Sequence, residues 1–171
     1  MLNKKTYKNL RIRFAEEKDA KVLLDFIKKL AIYEKRPESV IATAEDIRKN
    51  IFEKKIAEAL IAEQDGMPAG FAIFYYNFST FIGKPGIYIE DLFVNEHLRG
   101  NGIGKAIFNF IAEIAIRKDC ASIEWTVLKW NKPSIRFYEK LGAKKKDEWF
   151  IYRLDTNFLQ NNSSSGLNAE S

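Results

Sequence analysis

The sequence contains almost no cysteine or histidine. Cys120 is the only cysteine and His97 the only histidine among 171 residues, so an intrachain disulfide is excluded. A structural zinc site normally takes four protein ligands, usually cysteine and histidine, and we expect no metal. Cys120 is interpreted as a small core thiol, because a Cys–His catalytic pair would need His97 to fold beside it from a different segment.

Long hydrophobic runs are also absent. No apolar stretch approaches the roughly 20 residues that a membrane-spanning helix needs. Residues 1–9 are polar and lysine-rich and lack the apolar region of a secretory signal. We therefore expect a cytoplasmic protein without a membrane partner.

Positive charge is in slight excess, with a net charge of +5, but it is scattered, and residues 144–146 form the only run of three lysines. No nucleic-acid-binding motif accompanies the charge, so we expect no nucleic-acid partner. A protein that binds nucleic acid through its basic surface stays as an alternative. A phosphate-rich cofactor would use the same charge equally well.

Hydrophobic periodicity predicts the secondary structure. Helices are expected over about residues 20–31, 43–54, 103–114 and 133–141, the second of them with Thr43 and Asp46 as a near capping box. Strands are expected over 10–14, 59–63, 69–76, 87–94 and 122–128, with one or two more within 144–154. The order indicates one mixed sheet with helices on its faces. We expect one domain over residues 1–158 and a disordered tail over 159–171.

A glycine-rich stretch, Arg99 to Gly104, joins a predicted strand to the clearest helix of the chain. Glycines allow a tight turn and close approach of a ligand, and a helix N-terminus attracts phosphate. The stretch fits neither the P-loop, because Ala106 follows Lys105, nor the dinucleotide-binding fingerprint, which needs a third glycine at position 105 or 107. Glycines that serve the geometry of the turn alone are the remaining alternative.

The pattern R-G-x-G-I-G after a strand resembles the pyrophosphate loop of the GNAT superfamily of N-acetyltransferases. A second signature, Asn131-x-x-Ser134-x-x-Phe137-Tyr138-x-x-x-Gly142, follows about thirty residues later and is similar to the helix beside the pantetheine arm in that family. The resemblance implies an α/β (α+β) GNAT fold with a mixed, mostly antiparallel sheet of about six to seven strands and about four helices. It also implies acetyl-CoA as co-substrate.

Within the superfamily the chain resembles the diamine acetyltransferases, or spermidine/spermine N1-acetyltransferases, from about residue 10 to residue 155. The resemblance rests on Leu30-Ala31-x-Tyr33-Glu34, Ile82-Gly83-Lys84, Tyr88 to Val94, the glycine-rich stretch and Trp130-Asn131-x-Pro133-Ser134-x-x-Phe137-Tyr138. It implies a small-molecule amine substrate and a homodimer.

The resemblance also assigns roles to individual residues. The expected cofactor-binding residues are Leu92, Phe93 and Val94 through their backbone, Arg99, Gly100, Asn101, Gly102, Ile103, Gly104 and Lys105 around the pyrophosphate, and Asn131, Lys132, Pro133 and Ser134 along the arm. The expected substrate-binding residues are Tyr33, Glu34, Glu90, Glu124, Trp125 and Thr126. Tyr138 is expected to protonate the departing thiolate.

The chain departs from the diamine pattern at three places. It has Ser79-Thr80-Phe81 where those enzymes have an acid, a proline and a tryptophan, Lys35-Arg36-Pro37 where they are acidic, and residues 144–148 in place of an acidic C-terminal segment. A related branch of the family acetylates thialysine, an amino acid with its own carboxylate. The added basic residues suit that substrate better than a polycation.

Acetyl transfer to an alkyl amine needs a base, because an amine with a pKa near ~10.4 is protonated at neutral pH. Glu90 is the first candidate, and Glu34 and Asp91 follow. On an alternating strand Glu90 and Asp91 point to opposite faces, so only one should line the site. Glu90 as an electrostatic attractor only, and Tyr138 as a tyrosine at the edge of the core, are the alternatives. A protein or peptide acetyltransferase, or a non-catalytic acetyl-CoA-binding module, are alternative functions.

Overall fold

The computed structural model describes residues 9–157, and the predicted tail lies outside the described residues. The chain divides into two compact units, one ending at Thr126 and one beginning at Val127. Among residues 9–157, the sheet and three α-helices belong to the first unit, and the helix Lys132–Lys140 belongs to the second. The prediction of a single domain over residues 1–158 stays a prediction.

The elements follow the predicted order. The strands are β1 (Leu10–Phe14), β2 (Glu58–Gln64), β3 (Met67–Ser79), β4 (Lys84–Val94) and β5 (Ile123–Trp125), and the helices are α1 (Ala20–Tyr33), α2 (Ala44–Ile47), α3 (Ile103–Arg117) and α4 (Lys132–Lys140). No helix within residues 9–157 is both long enough and apolar enough to cross a bilayer.

The second helix is the main local difference from the prediction. Its capping box is present, since Thr43 Oγ1 accepts from the backbone N–H of Asp46 and the Asp46 carboxylate accepts from the N–H of Thr43. The regular helix then ends at Ile47 and continues as a π-helical segment, Arg48–Glu53. The predicted helix from Thr43 to about residue 54 is therefore confirmed, and its second half is π-helical.

The sheet has five strands in the order β1-β2-β3-β4-β5 within the described residues. The first four pair antiparallel, whereas β4 and β5 pair in parallel and are connected through α3, as a parallel pair requires. The mixed, mostly antiparallel sheet is confirmed. Five strands replace the expected six to seven, because residues 144–154 form no strand in the part of the chain that the structure describes.

Both faces of the sheet carry a hydrophobic core. On one face, Leu60, Phe74, Ile87 and Ile89 pack with four buried isoleucines of α3, Ile103, Ile107, Ile111 and Ile114. On the other face, Ile61, Phe71, Ile73 and Phe93 pack with Leu23 and Phe26 of α1. The two faces are named the α3 face and the α1 face below. The face on which each β4 side chain lies determines the candidate site.

Candidate active site

The glycine-rich turn lies between the end of β4 and the start of α3. Gly100 and Gly102 both have φ of +81°, a left-handed conformation that is costly for other residues. Gly102 caps α3 without any side-chain hydrogen bond, and the first turn of α3 carries no acid. Lys105 is exposed in that first turn, where a cation opposes the helix dipole. An anion at this N-terminus would satisfy both the backbone N–H groups and the lysine.

The backbone of β4 is open along its second half. β5 pairs only with residues Ile87, Tyr88 and Ile89, while β3 pairs with β4 as far as Val94. The Asn95 N–H donates to the Ala69 carbonyl at 2.9 Å. In an antiparallel ladder the backbone groups of alternate residues point the same way, so those of Phe93 face β3. The backbone groups of Leu92 and Val94 face the open side.

A β-bulge interrupts β4 at Glu90. Ile89 pairs with Phe74 and Asp91 pairs with Ile73, so that Glu90 has no partner on β3. The bulge shifts the alternation of side chains by one residue. Ile89 belongs to the core of the α3 face, and Phe93 to the core of the α1 face.

Glu90 and Asp91 consequently both lie on the α1 face. Glu90 follows Ile89 and points away from the α3 face, and Asp91 pairs with Ile73 of the α1-face core. The expectation that these two carboxylates point to opposite faces is wrong. Strict alternation holds only where every residue of a strand has a partner opposite it.

Electrostatics distinguish the two carboxylates. Burial, together with the nearby charges of Glu90 and Glu34, raises the pKa of Asp91 from its ordinary 3.8 to about 7. Asp91 is half-buried and Glu90 is exposed. A carboxyl group with a pKa near neutrality can both accept and release a proton at physiological pH, which suits a general base.

Two tyrosines that sequence reasoning missed lie on the same face as the carboxylates. Tyr75 of β3 pairs with Tyr88 of β4, and their ring centroids are 5.2 Å apart. Burial and the charge of Glu90 raise the pKa of Tyr75. Both rings retain partial exposure and extend the α1 face beside Glu90 with aromatic surface. The sequence signal that could have identified them lies in β4, where Tyr88 and Glu90 stand on either side of the buried Ile89. Residues two positions apart on a strand share a face.

β5 contributes to both faces. Glu124 pairs with Tyr88 and so lies on the α1 face, and the Tyr88 hydroxyl donates to Thr126 Oγ1 at 3.4 Å. Trp125 lies on the α3 face, where its ring meets Phe108 edge-on with centroids 5.2 Å apart. The structure brings Glu124 and Thr126 together with Tyr88. Trp125 lies on the opposite face of the sheet from the acidic residues.

Tyr33 and Glu34 end α1 beside β4. Tyr33 is the last residue of the helix and meets the Phe93 ring edge-on at 6.4 Å, and Glu34 is the C-cap. Arg99 lies over both rings, with its guanidinium carbon 4.3 Å from the Tyr33 centroid and 5.1 Å from the Phe93 centroid. The first unit thus assembles Tyr33, Glu34 and the acidic residues of β4 on one face.

In the second unit, the Asn131 and Ser134 pair has a local structural role. Asn131 is 6% exposed, and its Oδ1 accepts from the Ser134 N–H at 3.2 Å, capping α4. Asparagine is among the best helix N-caps, which accounts for the spacing of these two residues. Lys132 and Pro133 form the exposed first turn.

Tyr138 lies on α4 next to Phe137, with ring centroids 5.1 Å apart. Burial raises the pKa of Tyr138 to about 12. A phenol with this pKa keeps its proton throughout the neutral range, so it can act as a proton donor and not as a base. Gly142 ends the helix with φ of +91°, which confirms it as the glycine after the helix.

The model of the Acetyltransferase (GNAT) family matches residues 24–143. The chain belongs to this family. Like other GNAT enzymes it is an acyltransferase, an acetyl-CoA-dependent N-acetyltransferase. The matched residues include the glycine-rich turn, the bulge of β4 and α4. Both sequence signatures therefore lie within the region that matches the family.

Curated relatives and solved structures agree with this family. The chain is similar to a thialysine N-epsilon-acetyltransferase of Caenorhabditis elegans, at 36% identity over 151 residues, which cover 86% of this chain and 93% of that protein. It is also similar to the human spermidine/spermine N(1)-acetyltransferase-like protein 1, at 30% identity over 84% of this chain and 22% of that protein. An integron cassette protein from the mobile metagenome of V. cholerae has the same fold, with a TM-score of 0.78 and 25% identity over 92% of this chain and 99% of that one.

The residues of this GNAT chain fit a coenzyme A thioester on chemical grounds. An uncapped helix N-terminus after two left-handed glycines suits a pyrophosphate. The backbone groups of Leu92 and the N–H of Val94, which face the open side of β4, suit the amides of a pantetheine arm, because an unpaired strand edge can pair with another extended chain. The Val94 carbonyl already accepts from Arg99 Nε at 3.0 Å, and its N–H faces the same open side.

Proposed function

We propose that this N-acetyltransferase transfers the acetyl group to the side-chain amine of a lysine-like amino acid such as thialysine. The observation that carries the proposal is the meeting of opposite charges at the end of α1. The carboxylates Glu34, Glu90 and Asp91 interact on the α1 face, and Lys35 and Arg36 follow Glu34 directly. An amino acid with an ammonium group at one end and a carboxylate at the other matches both signs.

The basic residues adjoin the acidic ones by local geometry. Lys35 adopts φ of +61°, which turns the chain sharply at the end of the helix, and Arg36 pairs with Glu34 at 3.4 Å. A polyamine has no group for these cations to bind. The relative named as a thialysine acetyltransferase supports the same choice of substrate.

The co-substrate is bound by the residues of the two signatures. The backbone from Gly100 to Lys105 holds the pyrophosphate, with Asn101, Gly102, Ile103 and Gly104 forming the cradle. Leu92 and Val94 hold the pantetheine arm through their backbone. Asn131 and Ser134 contribute α4, the helix that they cap. Lys132 and Pro133 lie in the first turn of this helix.

The α1 face binds and deprotonates the amine. Glu34, Glu124 and Tyr33 surround the ammonium, and the carboxylate pair of Glu90 and Asp91 takes its proton. The pKa of Asp91 is raised to about 7. This value supports the proposal that Asp91, together with the exposed Glu90, accepts the proton. Tyr138 donates its proton to the thiolate of coenzyme A as the thiolate leaves.

The decisive test is release of coenzyme A from acetyl-CoA with a panel of acceptors: thialysine, lysine, spermidine, spermine, putrescine and a basic peptide. We expect thialysine or lysine to give the highest kcat/KM. A preference for spermidine or spermine would replace the amino-acid substrate by a polyamine. A preference for the peptide would make the chain a protein acetyltransferase, and tight acetyl-CoA binding without any turnover would indicate a regulatory module.

A polyamine is the second candidate substrate. The acidic residues of the α1 face, and the spermidine/spermine-like relative at 30% identity, favour it. Exchange of Lys35 and Arg36 for glutamate separates the two, because it should lower kcat/KM for thialysine and raise kcat/KM for spermidine. We also propose a homodimer, as the resemblance implies, which analytical ultracentrifugation at micromolar concentration tests directly.

A further inference from the structure

Tyr75 and Tyr88 form an aromatic surface on the α1 face, beyond the hydrophobic core. The two residues pair across β3 and β4, and their rings lie 5.2 Å apart between centroids with planes tilted by 31°. Within residues 9–157, the last β3 residue in the core of this face is Ile73, two residues before Tyr75. Tyr75 is 36% exposed and Tyr88 is half-buried. Packing of the core therefore does not account for two aromatic rings at this place.

Two exposed carboxylates flank these rings. Glu90 follows Tyr88 by two residues on β4 and lies on the same face, and Glu124 of β5 pairs with Tyr88. Paired strands lie about 4.8 Å apart, and two residues along a strand span roughly 7 Å, so both acids adjoin Tyr88. Burial and the charge of Glu90 raise the pKa of Tyr75, which agrees with a Glu90 carboxylate close to the second ring as well.

This combination of groups favours an organic cation. The face of an aromatic ring carries partial negative charge and attracts an ammonium group within about 6 Å of the ring centroid. The carboxylates add full negative charge beside the rings. An anion would be repelled by both kinds of group, and a neutral aromatic ligand would make no use of the carboxylates.

We propose that Tyr75 and Tyr88 bind the ammonium group of the acceptor through their ring faces, beside Glu90. This inference rests on the proposed function, because it places the two rings at the amine site of that reaction. A ring face attracts a cation without taking up a directed N–H bond, so the N–H groups of the ammonium stay available to Glu90 and Asp91. The two tyrosines bind the charged acceptor, and the carboxylates then take its proton.

The first experiment compares choline with 3,3-dimethylbutan-1-ol, which has the same shape and no charge. Choline has no N–H to donate, so its ammonium reports attraction to the site without proton transfer. NMR titration of the wild-type protein in the absence of acetyl-CoA gives both affinities. We expect choline to bind about twofold to thirtyfold more tightly, the range of a cation–π contact. Equal affinities, or no binding of choline, would overturn the inference.

Ring variants separate the ring faces from the carboxylates and the hydroxyls. Tyr75→Leu and Tyr88→Leu remove a ring, and we expect each to reduce the preference for choline. Tyr75→Phe and Tyr88→Phe keep the ring and should keep the preference, although the second loses the hydrogen bond to Thr126. An undiminished preference in both leucine variants would assign the binding to the carboxylates alone. Equal losses in the phenylalanine and leucine variants would assign it to the hydroxyls, and either result contradicts the proposal.

Tyr76 provides a matched control, because it is 37% exposed and directly follows Tyr75. It lies on the α3 face, where its ring meets Phe74 edge-on with centroids 6.2 Å apart. We expect Tyr75→Leu to raise the acceptor KM by about twofold to thirtyfold with little change in kcat, as for a lost binding contact. Tyr76→Leu should leave the acceptor KM unchanged. An equal rise in both variants would reduce the effect to a general loosening of β3.

The two kinds of measurement also distinguish this inference from the proposed function. If the wild type released no coenzyme A with any amine, the proposed function would fail, and the choline comparison would still decide whether the rings bind a cation. If the wild type acetylated an amine and showed no preference for choline, the proposed function would stand and the inference would fall.

Discussion

At the scale of single residues, three carboxylates account for the chemistry that the α1 face can perform. Glu34 comes from the end of a helix and Glu90 and Asp91 from a bulged strand. Sequence patterns identified all three as candidates, since each stands in a recognisable motif. The sequence ranked Glu90 first and could not reveal the raised pKa of Asp91, because that pKa depends on burial and on the charges of Glu90 and of the distant Glu34.

Asp91→Asn tests the share of Asp91 in proton transfer. The carboxyl must be ionised to accept a proton, so kcat/KM for the acceptor should rise as the pH increases through about 7. In the variant this rise should disappear and kcat/KM should fall about a hundredfold, the usual contribution of a general base. Glu90→Gln is the matched variant. Loss of the rise in Glu90→Gln alone would assign the base to Glu90.

Tyr138→Phe tests the proton donor. Because the pKa of Tyr138 is about 12, the phenol is protonated at every pH where the enzyme is assayed, and removal of the hydroxyl should lower kcat by about a hundredfold. The KM for acetyl-CoA should change little, since the ring stays in place. Steady-state kinetics measure both quantities, and an unchanged kcat would rule out this role.

At the scale of elements, local patterns predicted nearly every helix and strand, and the bulge was the feature they could not predict. The extra residue is defined only by pairing with β3, where Ile73 meets Asp91 and Phe74 meets Ile89. Nothing within residues 84–94 marks it. The prediction of one or two strands within residues 144–154 was wrong for a similar reason. Alternation of side chains indicates a strand only if a neighbouring strand pairs with it.

Deletion of Glu90 tests the bulge as an element. Ile89 would keep its place opposite Phe74 and Asp91 its place opposite Ile73, so the sheet should survive with a regular ladder. We expect a cooperative thermal transition by circular dichroism and a loss of activity of at least about a hundredfold, because a group of the proposed amine site is removed and its neighbours shift. Activity close to that of Glu90→Gln would show that the bulge itself has no role.

Gly100→Ala tests the turn before α3. No atom lies within 4 Å of the added Cβ, so the cost arises from the left-handed φ alone, about 1–2 kcal/mol. We expect Gly100→Ala to lower the free energy of unfolding by this amount and to raise the KM for acetyl-CoA. Gly66 of the β2–β3 turn has φ of +78° and equal space. Gly66→Ala should lose similar stability and leave the KM unchanged, and equal KM values in the two variants would argue against the anion site.

At the scale of the whole molecule, the burial of the Asp91 carboxyl lowers the stability of the fold above its ordinary pKa. The pKa of Asp91 is higher in the folded protein than its ordinary 3.8. Between about pH 4 and pH 7 the folded state therefore binds more protons than the unfolded state, and the free energy of unfolding decreases as the pH rises through this range. Asp19 has the opposite sign, because Arg13 lowers its pKa and its stabilisation is lost on acidification.

Asp91→Asn should therefore stabilise the protein above neutral pH. The variant should match the wild type near pH 4 and exceed it by about 1–3 kcal/mol at pH 8, given roughly 1.4 kcal/mol for each unit of pKa shift. Urea unfolding across this pH range measures the difference. A constant difference at all pH values would mean that the carboxyl is not strained by its surroundings.

The topology also sets an order of assembly. β2, β3 and β4 pair with their neighbours along the chain through short connections, and the two-residue turn at Asp65 and Gly66 closes one hairpin. β1 and β5 instead pair across long stretches of chain that contain helices, and such distant pairings form slowly. Glu124 and Thr126 therefore reach Tyr88 only after β2, β3 and β4 have paired, so the proposed amine site should mature later than this three-stranded meander during refolding.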